Sequence, residues 1–167
     1  MKRLVVAGTL AIALSEVATA ADKEVPVTVP IPRLSMEIAM KMAKATIDAC
    51  RKENVNVAVT IIDRGGHPQV VLRDTLAMDL TLPISRMKAY TAMSFNSATS
   101  GLIGRFPPDY SVPKIDTVIV AAGGLPITGA GSSIIGGIGV SGAPEGTTDE
   151  KCALAGVESV RFELESF

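Results

Sequence analysis

His67, the only histidine of the chain, stands directly after Gly65-Gly66 and between two runs of β-branched residues. An imidazole there can ligate a metal or exchange a proton near neutral pH, or simply sit solvated in a turn. Asp63, Arg64, Arg73 and Asp74 surround it in sequence; the guanidinium groups can grip a carboxylate in bidentate fashion, or the four can pair with one another at the surface. Lys88 can meet an anion or line a solvated helix face. Tyr90 and Tyr110 offer phenol oxygens to a metal or rings to a core. Ser141 is the hydroxyl inside Gly137-x-Gly139-x-x-Gly142, a spacing that in dinucleotide folds brings backbone amides to a pyrophosphate. A nucleophilic serine needs a positioned base. With the sole histidine in a different block and no Gly-x-Ser-x-Gly elbow around Ser141, a Ser-His-acid triad has little to build on.

The elements that must position these residues follow from periodicity. Ser35 is an N-cap for a helix in which Ala39, Met42, Ala43, Thr46, Ile47 and Cys50 share one face and Glu37, Lys41, Lys44 and Asp48 the other. "NVAVTIID" and "PQVVLRD", separated by "RGGH", predict a β-hairpin with His67 at its turn. "LTLPISRMKAYTAMSFN" predicts a helix that tolerates Pro83 near its start and carries Ile84, Met87, Ala89, Thr91, Met93 and Phe95 as its apolar set. A short helical turn follows and breaks at Pro107-Pro108. "DTVIVAAGG" and "SSIIGGIGVSG" predict strands, with "LPITGAG" a turn or short strand between them. Thr147 and Glu150 form a capping box that opens a last helix running to about Leu164.

These elements decide the glycine motif. A dinucleotide fold needs a helix at once after the glycines, then a second parallel strand. Here the helix begins several residues beyond Gly142 and no strand follows it, which argues against that fold. Two readings stay open for the glycines: close helix–sheet packing, or a wall against which a flat ligand lies. "GGLPI", with Gly124, and "GVSGAPEG", after Gly139 and Ser141, are the loops that would wall such a pocket.

The chain has 167 residues, of which 47% are hydrophobic and 20% charged, which suits one globular domain. "MKR", the apolar run "LVVAGTLAIAL" and Ala18-Thr19-Ala20 read as a signal peptide over 1–20, too short to span a bilayer. Residues 21–34, rich in proline, read as an extended arm, and 35–167 as the single domain. Removing 1–20 takes away Lys2, Arg3 and Glu16 and leaves 14 basic against 16 acidic residues, a balance that attracts neither nucleic acid nor an anionic membrane. Export implies an oxidising compartment, periplasmic or extracellular. Cys50 and Cys152 are too few for a disulfide scaffold or a thiolate zinc site.

Four blocks carry a resemblance: "VAVTIIDRGGHPQVVLRD", "SRMKAYTAMSF", "GGLPI" and "IIGGIGVSGAPEGTTDEKCALAG" resemble, in order and spacing, the GlcG/HbpS-like small haem-binding proteins, also found as the C-terminal domain of PduO-type proteins. The resemblance covers about Ser35 to Val160. It implies an α/β (α+β) domain of profilin-like type, a five-stranded antiparallel sheet carrying the N- and C-terminal helices, assembled as a dimer or larger homo-oligomer. It also implies haem as cofactor for an exported carrier, sensor or scavenger; the alternative is an enzyme or enzyme accessory acting on a small organic anion between the glycine loops. On this reading His67 is the iron ligand, with Arg64, Arg73, Lys88, Gly124, Gly139 and Ser141 around the cofactor and Tyr90 or Tyr110 as fallback ligands. The chain departs from the family in having few aromatics, no tryptophan and one histidine. If the first and last strands of the implied sheet are antiparallel neighbours, Cys50 and Cys152 lie at matching depths in their helices. The two either pair there or remain separate small buried residues.

Overall fold

The computed structural model describes residues 25–107 and 109–166; the signal-peptide reading of 1–20 lies outside them. Residues 25–34 hold no helix or strand, as three prolines in this short stretch dictate. Helix α1 spans Met36–Lys52; the Ser35 hydroxyl caps it by accepting from the Ile38 amide at 3.3 Å. Its buried face is Ala39, Met42, Ala43, Thr46, Ile47 and Cys50, the set that the 3.6-residue period predicts.

Strands β1 (Ala58–Asp63) and β2 (Pro68–Arg73) form the hairpin, and β3 (Gly124–Thr128) and β4 (Ile134–Ser141) complete an antiparallel sheet of order β2-β1-β4-β3. β1 lies at the centre, buried at every position. Alternate residues of the central strands face opposite layers. Val59, Ile61, Ile138 and Val140 meet α1 and α3 (Gly146–Glu158) in the main core. Ile62 meets Ala89 and Met93 of α2 (Thr81–Phe95) on the other face. A short α4 (Arg161–Glu165) ends the described chain.

β1 and β4 are antiparallel neighbours, so the end of α1 and the first turns of α3 share one edge of the sheet. Cys50 and Cys152 are disulfide-bonded there, with Cα atoms 5.4 Å apart.

Three expectations are corrected. The described sheet has four strands rather than five, because the stretch 116–124, read as a strand from its valines and isoleucine, joins the ladder only at its end, where the Gly123 carbonyl accepts from the Val140 amide and Gly124 opens β3, and 116–122 stay outside it. Two of their amides go elsewhere: Val118 donates to the Ile115 carbonyl at 2.9 Å and Ile119 to Thr91 Oγ1 at 2.9 Å. The capping box is not formed, since Glu150 accepts instead from the Ser100 amide, the Ser100 hydroxyl and the Gly123 amide. The last helix breaks after Glu158 rather than running through to Leu164.

Helix α2 buries Ser85, Lys88, Ala89 and Ala92 rather than Ile84, Met87 and Phe95. The glycines of β4 explain it. A Cβ on Gly139 would fall 2.0 Å from the Ser85 carbonyl oxygen, and one on Gly137 2.4 Å from that of Ala89. The helix backbone therefore sits directly on the strand, which the missing side chains of Gly137 and Gly139 allow.

Candidate functional site

The hairpin turn is built on Asp63. Its Oδ1 accepts from the amides of Gly65 at 2.8 Å and His67 at 3.0 Å, while the Gly66 amide donates to the Asp63 carbonyl at 3.0 Å. Burial pushes the Asp63 carboxyl up, but those two amides and the Arg33 guanidinium outweigh it and hold the group below the usual carboxylate value. Gly66 has φ +83°, and a Cβ there would lie 2.9 Å from Tyr90 Cε2. The turn thus needs glycine twice over: for the left-handed backbone and for contact with the ring.

His67 leaves this turn with its side chain 78% exposed and Nδ1 3.5 Å from Asp63 Oδ1. Opposite it, α2 presents Pro83, Arg86, Met87 and Tyr90, and Asp116 with Thr117 closes the third side of a cavity of about 450 Å³. An imidazole and a phenol, the two side chains here best able to hold ferric iron, share this cavity with one guanidinium and apolar walls from Pro83 and Met87. A larger hollow of about 730 Å³, between β3 and the α3–α4 end, contains no histidine, tyrosine, methionine or cysteine in its lining. It offers haem iron none of its usual ligands. Among the described residues no three His, Cys, Asp or Glu side chains group as a ligand set for a bare metal ion.

Of the residues singled out from sequence, His67 and Tyr90 come together in the cavity and the others do not. Arg64 is exposed and reaches the Ile134 carbonyl at 3.4 Å. Arg73, at the far end of β2, donates to the Ala77 carbonyl and lies 3.6 Å from Asp79. Asp74 is taken by Arg51 through bonds of 2.7 and 2.9 Å. Lys88 is buried, with Nζ 2.8 Å from Asp149 Oδ2 and 2.9 Å from the Val140 carbonyl. Burial pushes the Asp149 carboxyl above the usual range, against the opposing pull of Lys88 and the Ala143 amide. Gly124 and Gly139 lie under α2, and Ser141 is buried opposite Ala58 in the β1–β4 ladder. Tyr110 is exposed and outside the cavity. The close-packing reading of the glycines therefore stands, and the ligand-wall reading does not: helix backbone fills that space.

The sequence does not mark Arg86, Met87, Pro83, Asp116 or Thr117 as site residues. For three of them a signal existed. Pro83, Met87 and Tyr90 fall at i, i+4 and i+7, one stripe of a helix whose core face is a different one.

A family model described as "Haem degrading protein HbpS-like" matches residues 34–158. A double mutant of HbpS from Streptomyces reticuli is 34% identical, with a TM-score of 0.75 over 84% of this chain and 96% of that one. A 15.0 kDa protein of Citrobacter freundii, encoded between dhaT and dhaS, is 30% identical over 130 residues, 75% of this chain and 89% of its own. A PduOC–haem complex is similar in fold, at 24% identity and a TM-score of 0.70 over 76% of this chain and 94% of that one.

Proposed function

The chain belongs to the HbpS-like family, and from that membership we propose that it is an exported haem-binding protein, a carrier, sensor or scavenger, that holds haem between the 64–67 turn and α2. The observation that carries the reading is the convergence of His67 and Tyr90 on one cavity of about 450 Å³, within the size range of small-molecule sites. The donor set suits the group. His67 would ligate the iron, Arg86 would take a propionate, and Pro83 and Met87 would pack against the macrocycle. Bound haem supplies a redox-active iron whose reactivity depends on its ligand and surroundings. The family description names haem degradation; binding is the step that a carrier and a degrading protein have in common.

Export is supported by the basic, apolar and Ala-x-Ala series of residues 1–20 and by the Cys50–Cys152 bond, which persists in oxidising compartments. Among the described residues no helix is long and apolar enough to cross a membrane. Assembly into homo-oligomers is the third part of the reading. The alternative, an enzyme for a small organic anion between the glycine loops, loses its pocket to the backbone of α2.

The test is a haemin titration of the purified protein followed in the visible spectrum. A Soret shift that saturates at one haem per chain supports the reading, and an unshifted spectrum at stoichiometric haemin refutes it.

A further inference from the structure

Ahead of Ser35 the chain carries a pattern that the cavity does not use. Val25, Val27, Val29 and Ile31 alternate with Pro26, Thr28, Pro30 and Pro32, and the four aliphatic side chains are 85%, 99%, 74% and 59% exposed. In an extended strand the N–H and C=O of one residue point to one side and those of the next to the other, while side chains alternate between the two faces. All three prolines fall on even numbers. The edge made by the odd residues therefore keeps every amide, and the edge made by the even residues keeps that of Thr28 alone. Such a strand can join a sheet on one side and blocks further growth on the other. Val25, Val29 and Ile31 each precede a proline, which biases them to extended backbone before any pairing occurs and lowers the cost of ordering them.

The two edges of the sheet differ in whether they can receive it. On β3 the pairing with β4 turns Gly124 and Pro126 outward. The Gly124 amide donates to Thr99 Oγ1 at 2.8 Å, and Pro126 has no amide to give. That edge is closed. On β2 the Asp74 amide donates to the Val57 carbonyl at 2.9 Å and Leu72 stands opposite Val59, which turns the even residues toward β1. The amides of Val71 and Arg73 consequently face away from the sheet, and the Val71 side chain is 46% exposed. A strand bonded to them through odd residues would set its valines on the same face as Val71.

We infer that residues 25–31 of one chain add as a fifth strand to the β2 edge of a second copy. Backbone ladder bonds supply the affinity and the Val71 contact the register, as in other cases of strand addition. Exchange of an identical element in this way is a low-cost route to a homo-oligomer. Seven extended residues span roughly 23 Å, enough to cover the six residues of β2. The inference rests on the homo-oligomer part of the reading above and is independent of haem.

The test uses sedimentation velocity and amide hydrogen exchange on protein purified from its own host, wild type beside Val29→Pro and Thr28→Pro. The wild type should sediment as an assembly, with slow exchange at Val27, Val29, Val71 and Arg73. Val29→Pro removes an amide from the pairing edge and should weaken assembly at least about tenfold; Thr28→Pro adds a proline to the edge already blocked and should leave it unchanged. A monomeric wild type overturns both the arm and the oligomer reading, whether or not Val71 and Arg73 are protected. An assembly that Val29→Pro leaves intact, or that both variants weaken equally, overturns the arm alone.

Discussion

Asp63 does two jobs with one carboxylate: it closes the hairpin turn through the Gly65 and His67 amides, and it stands 3.5 Å from the imidazole it helps to place. Its folded pKa lies below the ordinary 3.8. A depressed carboxylate contributes stability that is present above the unfolded value and is lost as pH falls through the folded one. Asp63→Asn should therefore cost roughly 1–3 kcal/mol at pH 7, and urea unfolding at descending pH should show the gap between variant and wild type closing below about pH 3.8. A constant gap would mean that the carboxylate charge is not what the turn uses. Lys88 calls for a different expectation. Its ammonium is held between Asp149 and the Val140 carbonyl, so Lys88→Ala leaves a buried carboxylate without its counter-ion and should cost roughly 3–5 kcal/mol. Lys88→Met with Asp149→Leu should recover most of that loss in the same unfolding assay, because neither charge then remains buried.

Helix α2 and strand β4 are fitted to one another at the glycines. Gly139→Ala should destabilise by roughly 1–3 kcal/mol or more, since its Cβ would meet the Ser85 carbonyl and the Ala89 amide, and backbone yields less than a side chain. Thermal unfolding measures it; an unchanged midpoint would show that the helix can withdraw without cost. The same contact explains what could be read from the sequence. Helix α1, the hairpin and β4 follow from period and turn chemistry because each buries an apolar face. α2 buries small and polar residues against glycines, so its inner face leaves no hydrophobic stripe. Residues 116–122 have the composition of a strand, but the Val118 and Ile119 amides find their partners in the Ile115 carbonyl and Thr91 Oγ1, and no local pattern reveals that. Of the site, His67 and its Gly-Gly turn were legible as one block. Arg86 reaches the cavity from α2 and Asp116 from a segment well beyond the end of that helix, a convergence that only the tertiary fold makes.

At the scale of the molecule, the disulfide joins the two helices that cover one face of the sheet and closes a loop of 102 residues. In the chain-entropy account a loop of that length stabilises the fold by about 4–5 kcal/mol. Unfolding under reducing conditions should show a loss of that order, and an unchanged denaturation midpoint would show that packing of α1 on α3 suffices without the bond. The cavity lies on the opposite side of the sheet, between α2 and the hairpin turn, so reduction short of unfolding should leave its shape unaltered.

The central claim, that haem is held in this cavity through His67, is tested most directly by titrating haemin into wild type and His67→Ala at neutral pH, with circular dichroism to establish that both are folded. His67 is 78% exposed in its side chain and donates only its backbone amide to the turn, so the variant should fold as the wild type does. The account predicts that the variant loses the wild-type Soret band and binds haemin at least about tenfold more weakly. A folded His67→Ala protein with the wild-type band and affinity would contradict it.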